Sequence, residues 1–546
     1  MIVRLMLSLL AFGVMNLPRA DAHDAAPPDP PASVALDPGL STLHHAVTTR
    51  NADAQAYFDQ GLRLIFAFNH EAAIRSFEQA AAFDPDLAMA QWGVALAYGP
   101  NINLPMSKDA HKAAYAALTK AVALKPKASV AERAYIDALA KRYNADPEAE
   151  VAPLSVAYKE AMAEIVRRYP QDTDAAVLYA ESLMDLHPWQ LWSPDGTPTE
   201  GTLTLVEVLE RAQRQNPNHI GALHYYIHAV EASPHPEKAL PAARRLENLA
   251  PSAGHLVHMP AHVYIRTGNY LESARVNLAA VAADEKSRQA RDDSFYGLGY
   301  YSHNLHFLAI SEAMAGNYAR SMAAANKLAA HAAPHVKEVP ELDGFVLTQE
   351  MLLTKFGRWN EVLALPEPAF EAPMADTLWH FARAIAFAGT GRADEAKAER
   401  DKFAEAAATL PKSLSAGNND ARAVMAVALP YLDGRIASIE GNRAGAIAHL
   451  WLAVAAEDAL AYDEPPAWNL SSREALGGAL LRAGDFPAAE QVFRDDLVKN
   501  PESGRALFGL HAALVALGRE KEAAAVWGRY QHAWRAADTR LDVAGM

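Results

Sequence analysis

Small, aromatic and polar residues recur in a fixed order along most of residues 54–530. In the unit that begins at Ala54, Tyr57 stands at position 4, Gly61 at 8, Ala73 at 20, Phe77 at 24, Ala80 at 27 and Pro85 at 32. Small residues at 8, 20 and 27 let two helices approach closely, while aromatic residues at 4, 17 and 24 fill the gaps. Proline at 32 ends the second helix, because it lacks an amide hydrogen and clashes with the preceding turn. A Gly or turn residue at position 15 separates the two helices. The order returns in the unit from Ile220, which reaches Pro251 at 32, and in the unit from Gly254, with Gly268, Asn269 and Tyr270 at 15 to 17. Gly316-Asn317-Tyr318 repeats that turn 48 residues later, 14 more than a 34-residue period, so an insertion is expected near 288–301. Later turns fall at Gly357, Gly391, Gly441, Gly484 and Gly518, and helices are predicted over 108–125, 129–143, 151–169 and 174–185. Nothing in the pattern suggests a sheet.

A helix pair every 34 residues is the period of the tetratricopeptide repeat. The predicted fold is therefore all-α, a tetratricopeptide-repeat solenoid of stacked antiparallel helix pairs with insertions between repeats. Its parts are helical repeats over 51–185, a loop insertion and connecting helix over 186–218, histidine-rich repeats over 219–335, and further repeats over 336–546. Ahead of them, Arg4, an apolar run over 5–17 and Ala20-Asp21-Ala22 read as a signal peptide over 1–22, and 23–50 as a flexible lead-in. The apolar run is too short to span a bilayer, so no transmembrane segment is expected after cleavage, and the expected location is the periplasm or outside the cell.

Composition narrows the chemistry. Hydrophobic residues make up 51% and charged residues 21%, and the formal charge is -15 with a pI near 5.8, which argues against a nucleic-acid partner. There is no cysteine. Disulfides, thiolate ligands and a lipoprotein anchor are thereby excluded, leaving imidazole, carboxylate and water for any metal.

Histidine supplies the functional signal, since nine of 21 fall between His219 and His306. His224 and His228 occupy positions 5 and 9 of one repeat; His255, His258 and His262 occupy 2, 5 and 9 of the next; His303 and His306 occupy 2 and 5 of a third. Residues three and four apart share a helix face, and these positions line the concave surface of such a solenoid. Neighbouring helices lie about 8–10 Å apart, so their side chains can meet at one ion. The seven histidines are the candidate ligands, expected to face the groove rather than the core. The ion is zinc, copper, iron or manganese, one or two in number. His219 and His235 are better placed for a cap and a turn. Glu231, at position 12 of the same face, is a candidate ligand, outer acceptor or general base. His187 in the upstream loop and Arg266 at position 13 are further catalytic candidates, and Asp292 and Asp293 could reach the groove from the insertion. Tyr225, Tyr226, Tyr264, Tyr300 and Tyr301 surround the block as expected core. Pro260 should bend the second histidine helix. His23, exposed by cleavage, is a remote copper site. HExxH, GxSxG, CxxC and a phosphate-binding glycine loop are absent.

The segments DLHPW (185–189), HIGALHYYIHAVEAS (219–233) and AGHLVHMPAHVYIR (253–266) closely resemble a group of bacterial exported tetratricopeptide-repeat proteins. The first repeat, from Tyr57-Phe58 through Pro85 and on to 99–103, is similar to theirs as well. The resemblance implies the repeat fold and no settled reaction. The functional expectation is an exported metal-binding repeat protein, as a metal-dependent hydrolase or an oxidase/oxygenase. The alternative is a metal-free scaffold that holds a small molecule, peptide or partner protein in its groove.

Overall fold

The computed structural model describes residues 34–287, 294–368, 372–543 and 545. The expected signal segment, His23, Asp292 and Asp293 lie outside the described residues. Helices follow one another in antiparallel pairs, beginning with Ala52–Phe66 against His70–Phe83 and ending with Gly504–Ala516 against Glu520–Ala533. Each pair packs on the next, which makes an all-α solenoid of stacked helix pairs resembling tetratricopeptide repeats. The described residues contain one strand pair, Ser415–Ala416 with Asn419–Asp420. Four helices fall close to their sequence expectations, at Lys108–Leu124, Val130–Leu139, Val151–Arg168 and Thr173–Met184.

The stacking follows from the small and aromatic positions. Phe77 is fully buried, and a Cβ added to Gly61 or Gly93 would lie 2.6 or 2.5 Å from its ring. One phenyl ring is thus wedged between two glycines on the first helices of consecutive repeats. Phe493 repeats the wedge between Gly477 and Gly509. The turns obey a second local rule, seen at Gly316-Asn317. Gly316 takes φ +79°, a left-handed conformation that costs glycine little, and Asn317 then caps the next helix by accepting from the Arg320 amide.

Two features depart from an open solenoid. Residues 34–50, expected as flexible lead-in, run along the repeats and are held there. Tyr57 Oη donates to the Val34 carbonyl at 2.7 Å, His45 Nδ1 pairs with Asp174 Oδ2 at 2.7 Å, and the Thr48 amide donates to Glu132 at 2.6 Å. At the other end the last repeats return to the middle ones. Tyr270 Oη donates to the Pro501 carbonyl and Thr539 Oγ1 to the Gly316 carbonyl, both at 2.8 Å, and Lys355 Nζ reaches the Asn469 carbonyl at 2.7 Å. The middle repeats that carry the histidines are thereby contacted by both ends of the described chain. The expectation that the histidines face an open groove is corrected: His224, His228, His255, His258 and His262 are 0–2% exposed, and only His303 and His306 keep partial exposure.

Gly93→Ala tests the wedge. Its added methyl meets the Phe77 ring, so we expect a loss of about 1–3 kcal/mol in stability, read as a lower thermal midpoint. An unchanged midpoint would show that the ring shifts freely and the wedge does not set the stacking.

Candidate metal centre

Three first helices and one break carry the histidines. Ile220–Glu231 begins at His219, whose Nδ1 accepts from the Ala222 amide at 3.2 Å while Nε2 meets Asp174 at 3.0 Å. His219 is therefore a helix cap, and His235 sits in a turn beside Glu237 at 3.2 Å. The second histidine helix is divided into Gly254–His258 and Pro260–Arg266. Pro260 has no amide to donate, and the His262 amide bonds to the Met259 carbonyl three residues back. The break lies between His258 and His262. The third helix, Ser302–Met314, is entered through a π-helical turn at Tyr296–Tyr301, where Tyr296 Oη accepts from the His255 amide at 3.0 Å and itself donates to Asp284 at 3.2 Å. That chain fixes the inserted turn to the second histidine helix.

Six imidazoles gather into two sets of three. His224, His228 and His255 form one set and His258, His262 and His303 the other, each with ligand atoms within 4.8 Å of one another. Two nitrogens bound about 2.0–2.1 Å from one tetrahedral ion lie about 3.3–3.4 Å apart. His224 Nε2 and His255 Nε2 are 3.2 Å apart, close to that spacing, and His258 Nε2 and His262 Nε2 are slightly tighter at 2.8 Å. The sets adjoin, with His228 and His262 ring centroids 5.7 Å apart and those of His255 and His258 6.0 Å apart.

Behind the rings, acceptors fix the opposite nitrogens. His224 Nδ1 donates to the Phe66 carbonyl at 2.7 Å and His258 Nδ1 to Asn277 Oδ1 at 2.6 Å. Glu231 holds both sets: one carboxylate oxygen meets His228 Nδ1 at 2.7 Å and the other meets His262 Nδ1. Such bonds put the proton on Nδ1 and turn the Nε2 lone pair inward, the arrangement that metal-binding histidines use. His228 Nε2 is buried without a hydrogen-bond partner in the protein, a costly state that an ion bound there would relieve; His255 Nδ1, opposite the nitrogen that faces His224, is buried without a partner as well.

Electrostatics favours the neutral rings. Burial pushes His224, His255, His258 and His303 well below the usual histidine range, and the neighbouring imidazoles push the same way. Metals bind that neutral form. Burial also opposes charge on Glu231, but His262 and His228 outweigh it and hold the carboxyl down at about 2. Burial likewise opposes charge on His262, and Glu231 reverses it, leaving this ring raised.

Aromatic side chains seal the site. Phe68 lies 4.5 Å from His224, 5.5 Å from His255 and 5.9 Å from His228, between ring centroids. Tyr300 lies 4.5 Å from His255, Phe307 4.9 Å from His258, and Trp189 of the upstream loop 5.5 Å from His228. From far along the chain, Tyr462 Oη reaches Glu231 at 3.5 Å and Glu464 at 2.7 Å.

The remaining candidates divide. His306 belongs to neither set and lies 5.6 Å from Phe345. Arg266 donates to the Glu231 backbone carbonyl at 3.2 Å and stands 3.9 Å from Glu464, so it supports the bracing residues rather than the rings. Among the described residues no hydrogen bond or ring contact joins His187 to the cluster; its neighbour Trp189 is what arrives. Sequence reasoning missed Asn277, Phe68, Tyr462 and Glu464. Two had a signal: Asn277 occupies position 24, where Phe77 and Phe493 sit, and Phe68 occupies position 15, where glycine belongs. Tyr462 and Glu464 had none, since only the closure of the solenoid brings them near.

Comparison with protein-family models and with curated proteins finds no match. Among solved structures, the human IFIT1 dimer with m7Gppp-AAAA is 13% identical, covering 89% of this chain and 91% of that one, with a TM-score of 0.32. The P58(IPK) TPR domain is 13% identical over 86% of this chain and 100% of that one, with a TM-score of 0.22. Yeast Tom70 is 12% identical over 86% and 90%, with a TM-score of 0.29. At this level of superposition and identity, the likenesses carry no argument about the chemistry of this chain.

Glu231→Gln tests the shared brace. The amide offers one acceptor where the carboxylate offers two, so one of His228 and His262 loses its partner. Metal affinity, measured by competition with a chelator, should fall about 10–100-fold. Wild-type affinity in this variant would show that Glu231 does not orient the rings.

Proposed function

We propose that the chain is an exported metalloprotein whose two three-histidine sets hold a pair of transition-metal ions, and that the pair is catalytic. The observation that carries the reading is the gathering of six imidazoles into two adjoining sets, with Phe66, Glu231 and Asn277 fixing the far nitrogens of four of them. Three histidines leave a tetrahedral ion one open position, as in catalytic rather than structural zinc sites. Nitrogen ligands without a first-rank carboxylate suit copper, zinc or iron better than manganese or magnesium. Zinc would make the centre hydrolytic, lowering the pKa of a bound water, and copper or iron would make it an oxidase or oxygenase. Export rests on the apolar run and small residues of 1–22. No helix among the described residues is long and apolar enough to cross a membrane. The packing of Phe68, Trp189 and Tyr462 around the histidines and Glu231 weighs against a peptide-holding groove there.

Elemental analysis of the protein, purified without a chelator or a polyhistidine tag, decides the matter. Two equivalents of metal are expected. One should be lost in His224→Ala/His255→Ala, and the other in His258→Ala/His303→Ala, with circular dichroism confirming the fold. No stoichiometric metal after anaerobic reconstitution with zinc, copper, iron and manganese would overturn the reading.

A further inference from the structure

A cavity of about 970 Å³ opens beside the second histidine set. His303 and His306 form part of its wall, and the segment from Asp463 to Asn469 forms the opposite side. Its volume is at the upper end for small-molecule sites, which run about 300–1,000 Å³. The wall is chiefly apolar, with Met106, Leu298, Phe345, Met351, Leu378 and Trp468 facing one another across it. Its two lysines are already paired, Lys108 with Glu148 and Lys112 with Asp109. Asp463 and Glu464 also line it, and burial raises both carboxyls to about 7, so near neutral pH they carry only part of their charge. An anionic ligand would therefore meet carboxylates and no uncommitted ammonium group. The polar groups nearest the metal set are imidazoles: His306 offers a hydrogen-bond donor and an acceptor, and His303, with one nitrogen given to an ion, keeps its other N–H as a donor. A hydroxyl matches both roles, and its oxygen is also a metal ligand.

We infer that this cavity is the substrate chamber of the centre, and that it takes an uncharged, largely apolar small molecule whose single hydroxyl, alcoholic or phenolic, lies against His303 and His306. The chamber role rests on the proposed function; the ligand class rests on the wall. His303 links the two, because it belongs to the His258/His262/His303 set and to the chamber at once. An apolar body then occupies the space between Phe345 and Trp468, and its head reaches the open position of the second ion.

Calorimetric titration with four probes tests this on metal-loaded protein of measured metal content: 4-butylphenol, butylbenzene, 4-butylbenzoate and 4-butylbenzylamine. The phenol should bind at least about fivefold more tightly than butylbenzene, the worth of one hydrogen bond, and the benzoate should bind most weakly. Met106→Trp, which fills the chamber from its half-buried edge, should weaken phenol binding about tenfold or more while leaving the metal content intact. Equal binding of phenol and butylbenzene, or tighter binding of the benzoate or the amine, would overturn the ligand class. Phenol binding unaffected by Met106→Trp would remove the ligand from this cavity. A protein that holds no metal yet binds the phenol in a Met106-dependent way would separate the outcomes: the metal reading fails, the ligand class stands and the role as substrate chamber falls with the centre.

Discussion

Six imidazoles packed side by side inside a protein need something to limit their charge and to partner their second nitrogens. Water does neither here, because the rings of His224, His228, His255, His258 and His262 are almost fully buried. The site therefore depends on outward acceptors at fixed places, and much of the local structure can be read as supplying them. The end of the first repeat's opening helix presents the Phe66 carbonyl, the second helix of the repeat that carries His258 presents Asn277, and Glu231 serves both sets from the end of its own helix. Glu231 is useful because it stays charged. As a ligand it would leave His228 and His262 without a common brace; behind them, it fixes two rings in different sets with one carboxylate.

Closure of the solenoid follows from the same need. Desolvated rings must be shielded from several directions, and one repeat cannot supply that. Phe68 comes from the first repeat, Trp189 from the insertion, Tyr300 from the π-helical turn and Tyr462 from the C-terminal repeats. The contacts of residues 34–50 and of the C-terminal repeats hold those parts together, so the shell around the histidines is assembled from distant segments of the chain. Phe68 shows what this costs. It has φ +55°, a conformation that strains a non-glycine residue by about 1–3 kcal/mol. Glycine would relieve that strain but leave three imidazoles without the ring that covers them.

The repeat and its histidine phase were legible because both are local. A register built on Phe77, Pro85 and the turn glycines located the helix pairs, and six of the seven histidines it singled out fall in the two clusters. What the register cannot carry is curvature. Small rotations between repeats accumulate over the whole stack, and whether they leave a groove or fill it is decided by contacts such as Tyr270 with Pro501, which lie 231 residues apart. The expected open groove failed for that reason. Exceptions to the register were informative where they were not used: an Asn at a phenylalanine position and a Phe at a glycine position both point at the centre.

The two histidine sets are not equivalent, and the difference gives them different work. The first set is enclosed by Phe68, Trp189 and Tyr300, with all three rings fully buried, so a ligand on its ion would have to displace protein. The second set ends in His303, which is partly exposed and lies on the wall of the large cavity. A reacting molecule can approach only from that side. In a two-ion centre so arranged, the enclosed ion would tune charge and geometry, and the outer ion would meet the substrate. Glu231 touches one ring of each set. A change in the outer set that shifts His262 would reach His228 through that carboxylate, and in a two-ion centre it would couple the coordination of one ion to that of the other.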